Sequence, residues 1–366
     1  MRYIHEIEEW PNFTWDEKKL STLLAAVRHK QGLFQGRMQG FGFQMRSEAS
    51  LVTLTADVVK SSAIEGEFLD PEQVRSSIAR RFGVEIGDLV DVSRDVEGIV
   101  EMMLDATQRY AEPLTADRLF GWHSILFPSG RSRMLKIKVG DWRTADAGAM
   151  QIVTGPIGRE SVHFEAPAAE RLALEMIKLL SWFESNQNLD PVMKAGIAHF
   201  WFVTIHPFED GNGRIGRALT DLMLARAENS TERFYSMSSQ IEMERKEYYH
   251  RLESCQRGTL DITSWLKWFL QCLDRALAKT DSSLSGVIHR AKIWEIANTV
   301  KVNKRQQIVL NRLLDGFHGN LTTSKYAKLA KCSEDSALRD IRSLIDTGIL
   351  TQNTGGGRST SYSIRV

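Results

Sequence analysis

Along the chain, apolar residues recur at helical spacing far more often than they alternate, and Gly, Pro and polar clusters divide the runs. Residues 1–16 are rich in aromatics (Tyr3, Trp10, Phe13, Trp15) and read as a strap laid on the body of the protein. Leu20, Leu23, Leu24 and Val27 then share a helix face, and Gly32, Gly36, Gly40 and Gly42 predict that this helix, begun near Asp16, breaks into a loop. A second helix is expected over about 47–66, closed by Gly66 in a left-handed conformation. Asp70-Pro71 puts proline at a first helical position and opens a helix to about Phe82. Val92, Val96, Ile99, Val100, Met103 and Leu104 mark the next, from Asp88 to Tyr110. Thr115 caps another that carries Leu119, Trp122, His123 and Leu126. Ala168 to Ser185, Asp190-Pro191 to Ile205, Asn212 through Leu224 and Ile262 to Leu277 continue the helical series. Only over 139–156 do glycines and short β-branched runs predict a β-hairpin, with Val162 to Glu165 a strand end. The fold class is mainly α.

Residues 280–286 form a polar break that predicts a domain boundary. Beyond it, helices over 322–330 and 333–346, a strand at Ile349-Leu350, a Gly355-Gly356-Gly357-Arg358 turn and a last strand over 361–364 spell a small winged helix-turn-helix at 285–366. Charge divides at the same place. Residues 285–366 hold 13 Lys and Arg against 6 Asp and Glu, leaving 34 against 40 for the rest, so an acidic body carries a basic tail. That favours DNA as a partner of the tail. Against it, the 333–346 helix sets Arg339 and Arg342 beside Glu334, Asp335, Asp340 and Asp346, which leaves protein docking or a homodimer equally open. The three cysteines (Cys255, Cys272, Cys332) show no zinc-like spacing or disulfide framework. No apolar run is long enough for a membrane span and the N-terminus lacks a signal-peptide core, so a cytoplasmic protein is expected.

The chemistry is concentrated in His206-Pro207-Phe208-Glu209-Asp210-Gly211-Asn212-Gly213-Arg214-Ile215-Gly216-Arg217, between two apolar helices. Pro207 ends the first helix at His206, whose unperturbed pKa suits a base near neutrality. Gly211 and Gly213 allow a loop whose N–H groups point inward, and the next helix offers its positive N-terminal end. Arg214 and Arg217, three apart, share a face and can bracket phosphate oxygens. Asp210, acceptor-only, suits a Mg²⁺ held between phosphates. The set reads as transfer of a phosphate-containing group to a hydroxyl.

These residues resemble the signature of the Fic (Fic/Doc, Fido) family, H-P-F-x-[DN]-G-N-G-R-x-x-R, with every fixed position filled. The resemblance implies an all-helical Fic core at 113–280 with a β-hairpin flap, and an adenylyltransferase that moves AMP from ATP to a Tyr, Thr or Ser hydroxyl of a protein. His206 would be the general base and Asp210 the metal ligand. Gly211, Asn212 and Gly213 would belong to the anion cradle, with Arg214 and Arg217 the phosphate clamps. Ser61-x-x-x-Glu65-Gly66 is similar to the family's inhibitory motif, which implies a class II member whose helix, in the N-terminal region 1–112, sets Glu65 against Arg217. The flap, with Ile152, Val153 and Thr154, would align a target by strand addition. Tyr249 and Gln256 are the candidates for the adenine side, and His123 reads as structural. Two other functions stay open: a DNA-binding transcriptional regulator whose Fic core senses nucleotide, and transfer of a different phosphate-containing group. Self-modification is a further expectation.

Overall fold

The computed structural model describes residues 3–84, 89–154, 161–185, 188–314, 317, 319–353 and 360–365, with the backbone alone at 44, 147, 154, 161, 281–292 and 295. The chain divides into two compact units, Met1–Asp281 and Ser282–Val366.

The first unit opens with the aromatic strap. Trp10 is buried against Phe13 and Trp201, and its indole N–H donates to Glu175 at 2.8 Å. Helix α1 (Glu17–Gln39) is capped by Asp16, whose carboxylate accepts from Lys19 N. It does not break at Gly32 and Gly36 as their helix propensity suggests. Gln31 and Gln35 hydrogen-bond Glu228 at 2.7 and 2.9 Å, and these contacts outweigh the roughly 1 kcal/mol each glycine costs. Helix α2 (Phe43–Ile64) begins four residues before the expected start and delivers the 61–67 segment to the site. Helix α3 (Pro71–Phe82) is capped by Asp70, as its Asp-Pro start predicts, and ends at Gly83 in the left-handed region. Helix α4 (Arg94–Gln108) starts at the Ser93 cap rather than at Asp88, which lies outside the described residues. Helix α5 (Ala116–Leu126) is capped by Thr115.

A short hairpin absent from the sequence reading follows, β1 (Arg131–Ser132) with β2 (Leu135–Lys136), too brief for a periodic signal. The expected hairpin lies further along than 139–156. Its strands are β3 (Gln151–Thr154) and β4 (Ser161–Glu165), antiparallel with a bulge between Ile152 and Val153. Gly155 and Pro156, the last residues of the expected hairpin region, fall outside the described residues.

Helix α6 (Leu172–Glu184) leads to α7 (Pro191–Ile205), which is apolar on every side and buried from Val192 to Ile205, the mark of a central core helix. Helix α8 (Asn212–Glu228) packs along it. Helices α9 (Met237–Met243) and α10 (Arg245–Gln256) precede α11 (Thr263–Thr299), whose buried Trp265, Phe269 and Leu273 complete the core. Residues 280–286, expected as a polar break, are helical within α11.

In the second unit, Ile293 and Ala297 from the end of α11 join α12 (Lys304–Leu314), α13 (Thr323–Ala330), α14 (Glu334–Asp346) and the antiparallel pair β5 (Leu350–Gln352) and β6 (Tyr362–Ile364) around a separate core. The glycine turn before the last strand lies outside the described residues. The cysteines are free, and among the described residues no helix is long and apolar enough to cross a membrane. Mainly α architecture is what the periodicity predicted.

Candidate active site at the α7–α8 loop

Helix α7 stops at His206, which takes φ 51°, ψ 59°, the left-handed region that a side chain with a Cβ enters at a cost. Arg143, itself buried, holds it there. Its Nε donates to the His206 carbonyl at 2.9 Å, and its backbone N–H to the Pro207 carbonyl, also at 2.9 Å. On the His206 ring, Nδ1 faces the Val203 carbonyl at 3.3 Å. A carbonyl can only accept, so Nδ1 carries the proton and Nε2 keeps the lone pair. Burial pushes the imidazole down to about 4, with Arg143 adding to the effect, so the ring is neutral at physiological pH.

His123 braces the same loop from α5. Gly140 N–H donates to its Nδ1 at 3.1 Å, which leaves Nε2–H to donate to the Asp210 carbonyl at 3.2 Å. Its ring stacks on Phe208 at 4.2 Å. The structural reading of His123 is the one its contacts match. The Asp210 carboxylate accepts from Gly211 N–H at 2.6 Å and, through its other oxygen, from the Ser132 hydroxyl on β1. Each oxygen retains a lone pair, which fits a Mg²⁺ bound by one protein carboxylate and completed by phosphate and water. Among the described residues no group of three or more His, Cys, Asp or Glu forms an all-protein metal site.

Asn212 spends its side chain inside the loop. Oδ1 accepts from Phe208 N–H at 3.0 Å and Nδ2 donates to the Phe208 carbonyl at 2.8 Å. That two-point clip occupies its amide, so what Asn212 can offer an anion is its backbone N–H. Gly211, at φ 81°, is the N-cap of α8 and supplies no side-chain cap, so the first-turn N–H groups are left for another acceptor.

Beside this first turn lies the Glu65 carboxylate. A Cβ placed on Gly213 would stand 2.0 Å from Glu65 Oε1, so only glycine admits the carboxylate there. The same oxygen accepts from Arg217 NH1 at 2.8 Å, while Arg217 Nε and NH2 donate to the Ser61 hydroxyl and carbonyl, both at 2.8 Å. Gly66, at φ 81°, turns the chain immediately beyond. Arg214, 3% exposed, is met by Glu67 at 2.6 Å and lies over the Phe127 ring. Glu67 follows the expected helix end at Gly66, and Arg143 falls within the expected hairpin region at 139–156. Neither had a signal that pointed to the site.

Of the adenine-side candidates, Tyr249 is near. Its hydroxyl reaches the Ile64 carbonyl at 3.4 Å, and the Glu65 carboxylate, after burial, raises its pKa. Gln256 is turned inward to Thr204 at 3.2 Å. On the flap, Ile152 is half-buried and Val153 exposed; of Thr154 only the backbone is described.

Residues 113–224 match the Fic/DOC family, and residues 3–84 match a domain of unknown function (DUF4172). The chain belongs to the Fic family. It is 34% identical over 272 residues to the protein adenylyltransferase Fic of Drosophila melanogaster, covering 72% of this chain and 48% of that one. To the same-named protein of Drosophila mojavensis it is 27% identical over 225 residues, 60% of this chain and 40% of the relative. The chain thus spans less than half the length of these curated relatives. Among solved structures, a Fic family protein from Desulfovibrio desulfuricans G20 superposes with a TM-score of 0.60 at 21% identity, covering 97% of this chain and 98% of the other. A Fic domain containing signaling protein from Bacteroides thetaiotaomicron VPI-5482 gives 0.52 at 20% identity, over 73% of this chain and 97% of its own. Those two likenesses establish the fold.

Proposed function

We propose that the chain transfers AMP from ATP to a hydroxyl side chain of a protein, and that Glu65 restrains this activity. One observation carries the reading. A carboxylate lies against Gly213 in the first turn of α8 and is bonded to Arg217, where open N–H groups and a guanidinium would otherwise receive an anion. The named relatives, protein adenylyltransferases, agree with ATP as the donor.

In the reaction, His206 Nε2 takes the proton of the target hydroxyl, whose oxygen bonds to the α-phosphorus as the bond to the departing pyrophosphate breaks. Arg214 and Arg217 counter the charge that gathers on the leaving phosphates, and the α8 N-terminus holds the transferring group in line. Asp210 would hold Mg²⁺, which when bound neutralises charge between phosphates. Ile152, Val153 and Thr154 on β3 would align the target backbone, and Tyr249 would border the adenine. On this reading α2 and the Glu65-Gly66 turn that follows it are the inhibitory segment of a class II member.

The second unit has the element order of a winged helix-turn-helix. In α14 the Asp340 carboxylate is engaged by Arg305 at 2.8 Å, which offsets one of the acids that weighed against nucleic acid, while Arg339 and Arg342 are exposed. A nucleotide-sensing, DNA-binding regulator is therefore the second reading. Incubation with ATP labelled at the α-phosphate separates the two. Label on the chain or on added lysate proteins is expected for transfer; bound nucleotide with unlabelled protein would favour the sensor. His206→Ala should lower transfer at least about 10²-fold while far-UV circular dichroism stays unchanged. Equal transfer by the variant would remove His206 as the base.

A further inference from the structure

Glu65 is not the only carboxylate against the clamps. The segment leaving α2 turns back on itself through Glu65 N–H to the Ser62 carbonyl, Gly66 N–H to Ala63 and Glu67 N–H to Ser62, each at 3.0 Å. With Gly66 at φ 81°, the side chains at 65 and 67 both reach α8, one to Arg217 and the other to Arg214. The two guanidiniums are unequally satisfied. Arg217 makes three bonds, two to Ser61 and one to Glu65, whereas Arg214 is buried with its Nε lacking a partner, and Glu67 is its one carboxylate among the described residues. A buried guanidinium with donors to spare is set to receive more than a single carboxylate.

The charge pattern agrees. Burial pushes the Glu67 carboxyl up, and Asp210 and Glu65 nearby add to that, while Arg214 and Arg133 oppose it. Acids have been gathered where a phosphate chain would lie. Ile64 is fully buried, but Gly66 and Phe68 are exposed, Phe68 at 88%, so beyond their ion pairs to α8 residues 65–68 add little to the apolar core.

We propose that Glu67 is a second blocking carboxylate, which holds Arg214 as Glu65 holds Arg217, so that residues 65–67 present two acids in place of two adjacent phosphates. A nucleoside triphosphate must then displace both, and removal of Glu65 alone leaves Arg214 still engaged. Glu67 is a positioning residue for Arg214. The proposal rests on the two arginines being phosphate clamps, as above.

The test uses the full chain and inorganic tripolyphosphate, which carries no nucleoside. Calorimetric Kd values are compared for the parent, Glu67→Gln, Glu67→Asp, Glu65→Gln and the Glu65→Gln/Glu67→Gln double variant, each with its thermal midpoint. Glu67→Gln should tighten binding about tenfold, the scale of one charge-assisted hydrogen bond, and the double variant should bind more tightly than either single one. Glu67→Asp keeps the charge but shortens the reach to Arg214, so it too should tighten binding if the pair is the lock. Parent-like Kd values for both Glu67 variants in either background would overturn the proposal. So would tightening by Glu67→Gln with none by Glu67→Asp, which marks a bulk charge effect. Labelled AMP transfer is read in parallel. Tighter tripolyphosphate binding without AMP transfer upholds Glu67 and removes the transferase reading; AMP transfer with Glu67 variants that bind like the parent overturns Glu67 alone.

Discussion

His206 meets two demands that pull against each other: its backbone must leave the helix sharply, and its ring must stay neutral with one nitrogen open. Arg143 serves the first by clasping the carbonyls of His206 and Pro207, and the Val203 carbonyl serves the second by fixing the proton on Nδ1. With burial holding the ring down at about 4, the neutral form prevails above that pH and is lost as pH falls through it. For the free enzyme, kcat/KM for target modification should therefore be flat on its acid side down to about pH 5 and drop below it. An acid limb with an apparent pKa near 6.5 would mean a ring in contact with water and would sink this assignment. The signature's residue types could be read in advance because each has a chemical reason to be there. Glu67, Arg143 and Ser132 could not. Their partners lie 147, 63 and 78 positions away, and nothing local distinguishes such an acid, arginine or serine from a solvated one.

Among the elements, the contact of α2 with the start of α8 depends on the absence of one methyl group. Gly213→Ala would put a Cβ 2.0 Å from Glu65 Oε1, a separation that no rotamer adjustment of a few tenths of an ångström relieves, so the carboxylate must leave. Backbone amides of residues 61–67 should then exchange at least about tenfold faster with deuterium than in the parent, while those of α7 stay protected. Unchanged exchange over 61–67 would show that Glu65 does not rest on Gly213. Helix ends with side-chain caps were legible here, at Asp70-Pro71, Thr115 and Asp190-Pro191, because the signal is local and chemical. Interiors were less so. Gly32 and Gly36 argue for a break in α1 that side-chain bonds to Glu228 prevent, and the polar run 280–286 stays helical within α11. The flap's displacement to 151–165 has a similar origin, since short strands are set by pairing and a bulge more than by alternation.

At the scale of the whole molecule, the described residues form two buried apolar clusters with none in common. The first runs in sequence from Ile4 to Leu277 and the second from Ile293 to Tyr362, so the sixteen-residue step between them lies within α11. The sequence signalled a change of composition there, but a polar stretch does not by itself tell a broken helix from a solvated one. All the site residues belong to the first unit: the signature loop, the 61–67 segment, Arg143 and the flap. A chain cut after Asp281 keeps every described member of the first core, and each unit contains its own buried apolar set. Residues 1–281 should therefore be soluble, unfold in one cooperative transition within about 5 °C of the first-unit transition of the full chain, and retain AMP transfer within about threefold. Residues 282–366 expressed alone should show a cooperative transition of their own. An insoluble 1–281 fragment, or one that folds but loses transfer more than about tenfold with ATP saturating, would show that the second unit takes part in the chemistry or the core of the first.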